Sequence, residues 1–163
     1  MLRALLLAII WCAAFPAIGQ LSKNQGHTVK ISGHRFSCYL PQYFEIQEQP
    51  PGVIHKASGS FVIVVKVPDD RKVSTAHGLQ RSFFEDPRYE ILSLSEDKEV
   101  KRRDAGHHTY RMLYNLQGFE FERLTTLVTK GDDQYLIIGN YSVKFKDQVQ
   151  EEVKRIMESF VIH

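Results

Sequence analysis

Histidine is the residue type in this chain that is best suited to metal chemistry, and the sequence contains seven of them. His107 and His108 are adjacent in a segment with a strand pattern, so their side chains point to opposite faces and cannot bind one ion. The sequence has no C-x-x-C, H-E-x-x-H or aspartate-rich calcium loop. We therefore expect no metal and no cofactor. The alternative is a site that His27, His34 or His55 would form only through the fold.

Nucleophilic chemistry has little support. Cys38 alternates with Phe36 and Leu40 in a strand-like run, and this pattern predicts a small buried hydrophobic residue instead of an activated thiolate. The S-G-S run at residues 58–60 precedes a predicted strand, whereas a nucleophile elbow follows a strand and leads into a helix. No Gly-rich phosphate loop occurs. The sequence therefore favours a protein that is not an enzyme.

Aromatic residues are concentrated in a predicted β-hairpin between residues 107 and 129. A two-residue turn at Gln117-Gly118 would place Tyr114 opposite Phe121. Such pairs usually stabilise a sheet, but aromatic rings beside charged side chains are also typical of protein interfaces. The second interpretation makes the hairpin a candidate partner-binding surface. Its residues are Tyr110, Arg111, Tyr114, Phe119, Phe121 and Arg123.

The charge balance argues against nucleic-acid binding. The chain has 21 Lys and Arg residues against 19 Asp and Glu residues, a net charge of +2, whereas nucleic-acid-binding domains carry a clear basic excess. The basic run at 101–103 directly follows the acidic run E-D-K-E at 96–99. We interpret these two runs as a solvated hairpin tip whose charges neutralise each other.

The first nineteen residues predict a cleaved secretory signal peptide. Their apolar run from Ala4 to Phe15 is shorter than the roughly 20 apolar residues that a membrane-spanning helix needs. The following A-I-G sequence predicts cleavage between Gly19 and Gln20. We expect the remaining residues, 20–163, to form a single secreted or periplasmic domain with no membrane span after signal removal.

Strand patterns dominate this domain. Residues 61–65 and 135–138 are apolar on both faces, so a sheet that contains them needs a cover on each side. Short connections favour antiparallel pairing. The sequence predicts helices over residues 75–85 and from Asp147 onward. The apolar stripe of the second helix consists of Val149, Val153, Ile156, Met157 and Phe160.

These patterns predict an α+β fold. We expect an α/β/α sandwich in which a mostly antiparallel β-sheet is covered by helices on both faces.

Two segments carry a family resemblance. F-S-C-Y-L-P-Q-Y-F-E at 36–45 resembles the opening strand and turn of the PsbP/Mog-like superfamily, and V-K-R-I-M-E-S-F at 153–160 is similar to the last helix of that superfamily. The resemblance covers nearly all of residues 20–163. It implies an α/β/α sandwich that acts by binding or by assisting assembly, usually without catalysis. It transfers no functional residue.

The sequence therefore predicts an exported, non-enzymatic binding or assembly-accessory domain. Its partner would be a protein in the cell envelope or outside the cell. The alternative is a small exported metal-binding protein or enzyme that uses the scattered histidines.

Overall fold

A computed structural model describes residues 26–31, 35–74, 78–100, 102 and 107–163. The predicted signal peptide, with its cleavage site at Gly19 and Gln20, lies outside these residues, as does His34. Within the described ranges, no helix has both the length and the apolar character that crossing a membrane requires.

The described residues form ten strands and one α-helix. The strands are β1 (Gly26–Ile31), β2 (Phe36–Pro41), β3 (Glu45–Gln47), β4 (Gly52–His55), β5 (Ser60–Lys66), β6 (Glu90–Glu96), β7 (His108–Leu116), β8 (Phe119–Lys130), β9 (Asp133–Ser142) and β10 (Val161–Ile162), and the helix is α1 (Lys146–Ser159). Seven strands make one antiparallel sheet in the order β3-β4-β5-β9-β8-β7-β6, and a smaller antiparallel sheet has the order β1-β2-β10.

One face of the seven-stranded sheet, called here the helix side, packs against α1 and the smaller sheet. The predicted stripe of α1 is buried, as is Phe160 directly after the helix. The helix lies close to β9, where an added Cβ at Gly139 would come within 2.6 Å of Met157 Sδ. The predicted C-terminal helix is confirmed, although Asp147 lies in its first turn and the N-cap position is Phe145.

The opposite face, called here the loop side, is covered by irregular chain between β5 and β6. Val67, Leu79 and Phe84 from this segment pack against β7, β8 and β9. The helix predicted over residues 75–85 is wrong, because the described part of that range contains only a 3-10 turn at Arg81–Phe83.

Two features of Gly78 explain this error. Gly78 has a φ of 63°, which is left-handed and incompatible with a regular helix. A Cβ there would also collide with the Tyr110 hydroxyl group, which accepts a hydrogen bond from the Leu79 amide at 2.8 Å. The mostly antiparallel α+β fold is confirmed, and the described residues of the segment between β5 and β6 contain no second α-helix.

Burial on both faces holds for β9 but only partly for β5. In β9, Leu136 on the loop side and Ile137 on the helix side are both buried. In β5, Val62 and Val64 are buried on the helix side, but Val65 is 37% exposed. The expectation for β5 is therefore only partly met on the loop side, where Phe61 and Ile63 are half-buried and Val65 is exposed. The loop-side apolar cluster includes β7, β8 and β9 residues and none from β5.

Candidate functional site

The hairpin of β7 and β8 has the predicted turn and register. Gln117 and Gly118 have φ values of 53° and 87°, the two positive values that a type I′ turn requires. The Gly118 amide also donates a hydrogen bond to Asn115 Oδ1 at 2.9 Å. Tyr114 lies opposite Phe121, and Leu116 lies opposite Phe119. The turn is therefore well defined, and it presents Phe119 at its end.

Strand alternation divides the six candidate residues between two faces of the sheet. Tyr110, Tyr114, Phe121 and Arg123 contribute to the loop side, and Phe119 shares that face because it pairs with Leu116. Arg111 lies on the helix side, where it pairs with carboxylates. The six residues therefore do not form a single surface, and Arg111 is removed from the candidate site.

Four loop-side side chains form a compact group that we call the aromatic stack: Tyr89, Tyr114, Phe121 and Arg123. The ring centroids of Tyr114 and Phe121 are 5.5 Å apart in a stacked arrangement, and those of Tyr89 and Tyr114 are 4.8 Å apart. The Arg123 guanidinium lies 4.9 Å from the centroid of the Tyr114 ring and 5.5 Å from that of Tyr89. These distances permit cation–π attraction.

Tyr114 belongs to the core of this face. Its side chain is only 3% exposed, and its hydroxyl group donates a hydrogen bond to Asn140 Oδ1 at 2.8 Å. Tyr110 is half-buried, with its hydroxyl group held by the Leu79 amide. These two tyrosines stabilise the fold and are not available as a free binding surface.

The accessible part of the site lies at its outer end. Phe119 is 68% exposed, whereas Phe121 and Arg123 are half-buried. Arg123 Nε is buried and has no hydrogen-bond partner among the described residues. The hairpin-end surface, as we call it, consists of Phe119, Phe121, Arg123 and Tyr89.

A shallow depression of about 370 Å³ adjoins this surface. It is lined by Arg81, Glu85, Asp86, Pro87, Tyr89 and Ile91. Hydrogen bonds from Arg88 lower the pKa of Asp86 to about 2. Asp86 is therefore ionised at neutral pH and is not suited to proton transfer.

Arg111 forms the centre of a second group on the helix side, which we call the charged cluster. Its Nε donates to Asp97 Oδ2 at 2.7 Å, its Nη1 donates to Glu122 Oε1 at 2.7 Å, and its Nη2 donates to Glu99 Oε2 at 3.0 Å. Lys154 of α1 donates to the same oxygen of Glu99 at 2.7 Å. The segment after β6 is thereby attached to both β7 and α1.

Glu122 has further partners in the same cluster. Its Oε1 accepts a hydrogen bond from the Tyr141 hydroxyl group, and its Oε2 accepts one from Lys146 Nζ at 2.9 Å. Burial raises the pKa of Glu122, but hydrogen bonds from Tyr141 and Lys146, with the charge of Arg111, outweigh burial and lower it overall. Burial and the bond to Glu122 raise the pKa of Tyr141. Each carboxylate of the cluster is ionised and partnered, so the cluster has a structural role.

The described residues offer little for metal binding or nucleophilic chemistry. Among them, no group of three or more His, Cys, Asp or Glu side chains could hold an ion. His55 Nδ1 is 2.7 Å from Ser58 Oγ, and His108 Nδ1 is 3.2 Å from Glu96 Oε1. Cys38 is fully buried, and burial raises its thiol pKa to about 12. The prediction of a buried cysteine is confirmed.

Sequence reasoning missed Tyr89 and Asn140. Tyr89 precedes β6 and Asn140 lies in β9, so only the assembled sheet brings them to Tyr114. No local motif connects these positions with the hairpin, and therefore no sequence signal was present for them. By contrast, the sequence did indicate that Arg111 faces away from the aromatic residues. Residues three apart on a strand, such as Arg111 and Tyr114, point to opposite faces.

Three solved structures share this fold. Cyanobacterial PsbP from Synechocystis sp. PCC 6803 is 13% identical, with a TM-score of 0.50 over 89% of this chain and 96% of that chain. Mog1 is 11% identical, with a TM-score of 0.51 over 84% and 95% of the two chains. LpqN, a Mycobacterium tuberculosis protein involved in cell envelope biogenesis, is 10% identical, with a TM-score of 0.52 over 84% and 90%.

The PsbP/Mog-like fold implied by the sequence resemblance is thus confirmed. No protein-family model matches the chain, and no curated protein has a similar sequence. At these low identities the structural likeness identifies the fold and transfers no function.

Proposed function

We propose that this chain is an exported, non-catalytic domain that binds a protein partner through its hairpin-end surface. The observation that carries this proposal is the position of Phe119. Its ring is 68% exposed at the end of a well-defined turn, next to the half-buried Phe121 and Arg123. A phenylalanine in this position contributes little to the core.

The composition of the hairpin-end surface supports a protein as the partner. Aromatic and arginine side chains are enriched at interfaces and among the residues that dominate binding energy. Arg123 is held by the rings of Tyr89 and Tyr114, so a partner would not have to order a flexible side chain.

The paired state of the charged groups supports a role without catalysis. A general acid or base needs a pKa near the working pH and access to substrate. In the charged cluster, Glu122 is buried between partners and its pKa is lowered. Cys38 is also poorly suited to catalysis, because a nucleophile needs the thiolate, whereas burial raises the pKa of this thiol and keeps it neutral.

Export is supported by the sequence of the first nineteen residues and agrees with the cell-envelope involvement of LpqN, which shares the fold. If export and cleavage occur, N-terminal sequencing of the protein from the envelope or medium should find Gln20, or its cyclised form, at the first position. Soluble cytoplasmic protein that retains Met1 would contradict the export proposal and leave the binding proposal untouched.

Site-specific crosslinking tests the binding proposal. A photoreactive phenylalanine analogue is placed at position 119 and, as the matched control, at position 43, because Tyr43 is also highly exposed, at 59%. Illumination of native cells should give one discrete adduct from position 119 that contains a second protein, and none from position 43. Adducts of equal yield from both positions, or none from position 119, would contradict the proposal.

A further inference from the structure

Strand β6 forms one edge of the seven-stranded sheet and is largely open to solvent. It pairs with β7 on one side, and no strand of the described chain pairs with its other side. Five of its seven residues are exposed. An exposed strand edge presents backbone N–H and C=O groups that can pair with another chain.

The alternation of backbone hydrogen bonds between β6 and β7 shows which backbone groups of β6 point outward. The Asp97 amide donates to the Thr109 carbonyl group at 2.7 Å, which makes this a hydrogen-bonded pair. Because such pairs alternate along antiparallel strands, Ser95 directs its backbone groups toward Arg111 of β7. Leu94 and Glu96 therefore direct their N–H and C=O groups to the open side.

The charges of β6 disfavour pairing with a second copy of this chain. Glu90 and Glu96 lie at the two ends of the strand, and both are exposed. Antiparallel pairing of two β6 strands along their whole length would place Glu90 of each copy opposite Glu96 of the other. Like charges in directly opposite positions destabilise a strand pair. The same two carboxylates would attract a strand that carries basic residues.

The side chains of β6 also define which residues an added strand would need. Leu94 lies opposite Met112, and Glu96 lies opposite Tyr110, so both point to the loop side. Ser93 and Ser95 point to the helix side, where their small side chains leave space for the side chains of an added strand. The depression of about 370 Å³ beside Tyr89 and Ile91 adjoins the start of the strand and could accept an apolar side chain.

We propose that β6 accepts an extended basic and apolar segment of a partner protein as an eighth strand of the sheet, hydrogen-bonded to the backbone of Leu94 and Glu96. The segment carries Lys or Arg opposite Glu96 and an apolar residue opposite Leu94. Main-chain pairing provides affinity in this mode of recognition, and the alternate side chains provide specificity. This site goes beyond the hairpin-end surface and does not depend on it.

A synthetic seven-residue peptide of the sequence Lys-Thr-Val-Thr-Lys-Thr-Val, blocked at both ends, is the probe, because residues two apart share a face and lysine can then lie opposite Glu96 while valine lies opposite Leu94. It is titrated into the isotopically labelled protein, and amide hydrogen exchange and chemical shifts are recorded. The exchange of the Leu94 and Glu96 amides should slow at least tenfold at saturation. The same peptide with glutamate in place of lysine should bind at least tenfold more weakly.

Three variants control this experiment. Glu96→Pro removes the outward N–H and should weaken binding at least tenfold, since proline is tolerated where a strand N–H faces solvent. Glu96→Lys keeps the N–H, reverses the charge and should have a comparable effect even if the proline variant fails to fold. Glu45→Gln changes an exposed glutamate of β3 at the opposite edge of the sheet and should leave binding unchanged.

Several results would overturn the proposal. The first is amide hydrogen exchange at Leu94 and Glu96 that does not change at peptide saturation. The second is equal peptide affinity of Glu96→Lys and the unmodified protein. The third is a set of chemical-shift changes confined to the hairpin-end surface. A dimer of the free protein in sedimentation that Glu96→Pro dissociates would assign the edge to a second copy and would also overturn it.

Discussion

Arg111 and Arg123 lie on neighbouring strands of the same hairpin, but they point to opposite faces of the sheet and have different partners there. On the helix side, Arg111 is bound by the carboxylates of Asp97, Glu99 and Glu122. On the loop side, Arg123 lies over the rings of Tyr89 and Tyr114, and its Nε has no hydrogen-bond partner in the described part of the chain. The same residue type is paired with carboxylates in one place and with aromatic rings in the other.

This difference separates a contribution to stability from a capacity for binding. Removing one partner of a buried ion pair strongly destabilises the fold, because the remaining charge stays buried without its counter-charge. Cation–π attraction contributes about 0.5–1 kcal/mol at exposed sites and about 2 kcal/mol when the cation is desolvated, and a half-buried cation such as Arg123 lies between these values. Arg111 therefore contributes to the stability of the domain, whereas Arg123 and Phe119 can bind a partner at little cost to the fold.

The largest difference is expected when each arginine is replaced by methionine. Arg111→Met should lower the free energy of unfolding by about 3–5 kcal/mol, because it leaves the carboxylates of Asp97 and Glu122, 8% and 5% exposed, without their main cation. Arg123→Met should lower it by less than about 2 kcal/mol. Urea unfolding at pH 7 measures both values. Equal losses would remove the distinction between the two faces.

Within the loop side, burial predicts a gradient of stability effects along the hairpin. Tyr114→Ala should cost about 3 kcal/mol, because it removes a buried ring and leaves Asn140 Oδ1 without its donor. Phe121→Ala should cost about 1–2 kcal/mol, since its ring is only half-buried. Thermal denaturation gives the order of the two variants. A smaller loss for Tyr114→Ala than for Phe121→Ala would place Tyr114 outside the core.

Acid should weaken the helix side selectively. The pKa values of Asp97 and Glu122 are lowered in the folded state, because hydrogen bonds and nearby cations outweigh the opposing effect of burial. Their contribution to stability is complete above the ordinary carboxyl pKa of about 4 and is lost as the pH falls through the lowered folded-state values. The urea concentration at the midpoint of unfolding should therefore decrease as the pH is lowered from 5 to 2.

Two variants assign this pH dependence. Glu122→Gln should flatten the profile, because one of the responsible carboxylates is gone. Asp86→Asn should flatten the profile less than Glu122→Gln, because its partner Arg88 is 80% exposed and solvent screens the pair. A midpoint that is constant or rises on acidification would contradict the assignment of the charged cluster to stability.

The sequence predicted those parts of the fold that depend on local patterns. The β7–β8 register follows from strand alternation and from the glycine at position 118, and the buried face of α1 follows from its apolar spacing. The helix over residues 75–85 could not be corrected locally, because the Gly78 conformation is coupled to Tyr110, which lies 32 positions further along the chain. The exposure of Val65 is likewise a property of the assembled fold, because the apolar cluster on the loop side contains no β5 residue.

The candidate site was predictable only within the hairpin. Phe119, Phe121 and Arg123 share one strand and one face, so alternation groups them. Asp97 and Glu99 were interpreted as part of a solvated tip, since nothing in the sequence shows that Arg111 and Lys154 meet them on the helix side. Long-range charge pairing of this kind becomes visible only when the sheet and helix are assembled.

The smallest stability effect is expected at Phe119, and its effect on binding tests the central claim most directly. Phe119→Ala should change the free energy of unfolding by no more than about 0.5 kcal/mol, as for other exposed positions. The measurement is the dissociation constant of the protein captured by crosslinking at position 119, for the unmodified chain, Phe119→Ala and the exposed control Tyr43→Ala. We predict at least tenfold weaker binding for Phe119→Ala alone. Unchanged affinity of a stably folded Phe119→Ala variant would contradict the assignment of the hairpin end as the binding surface.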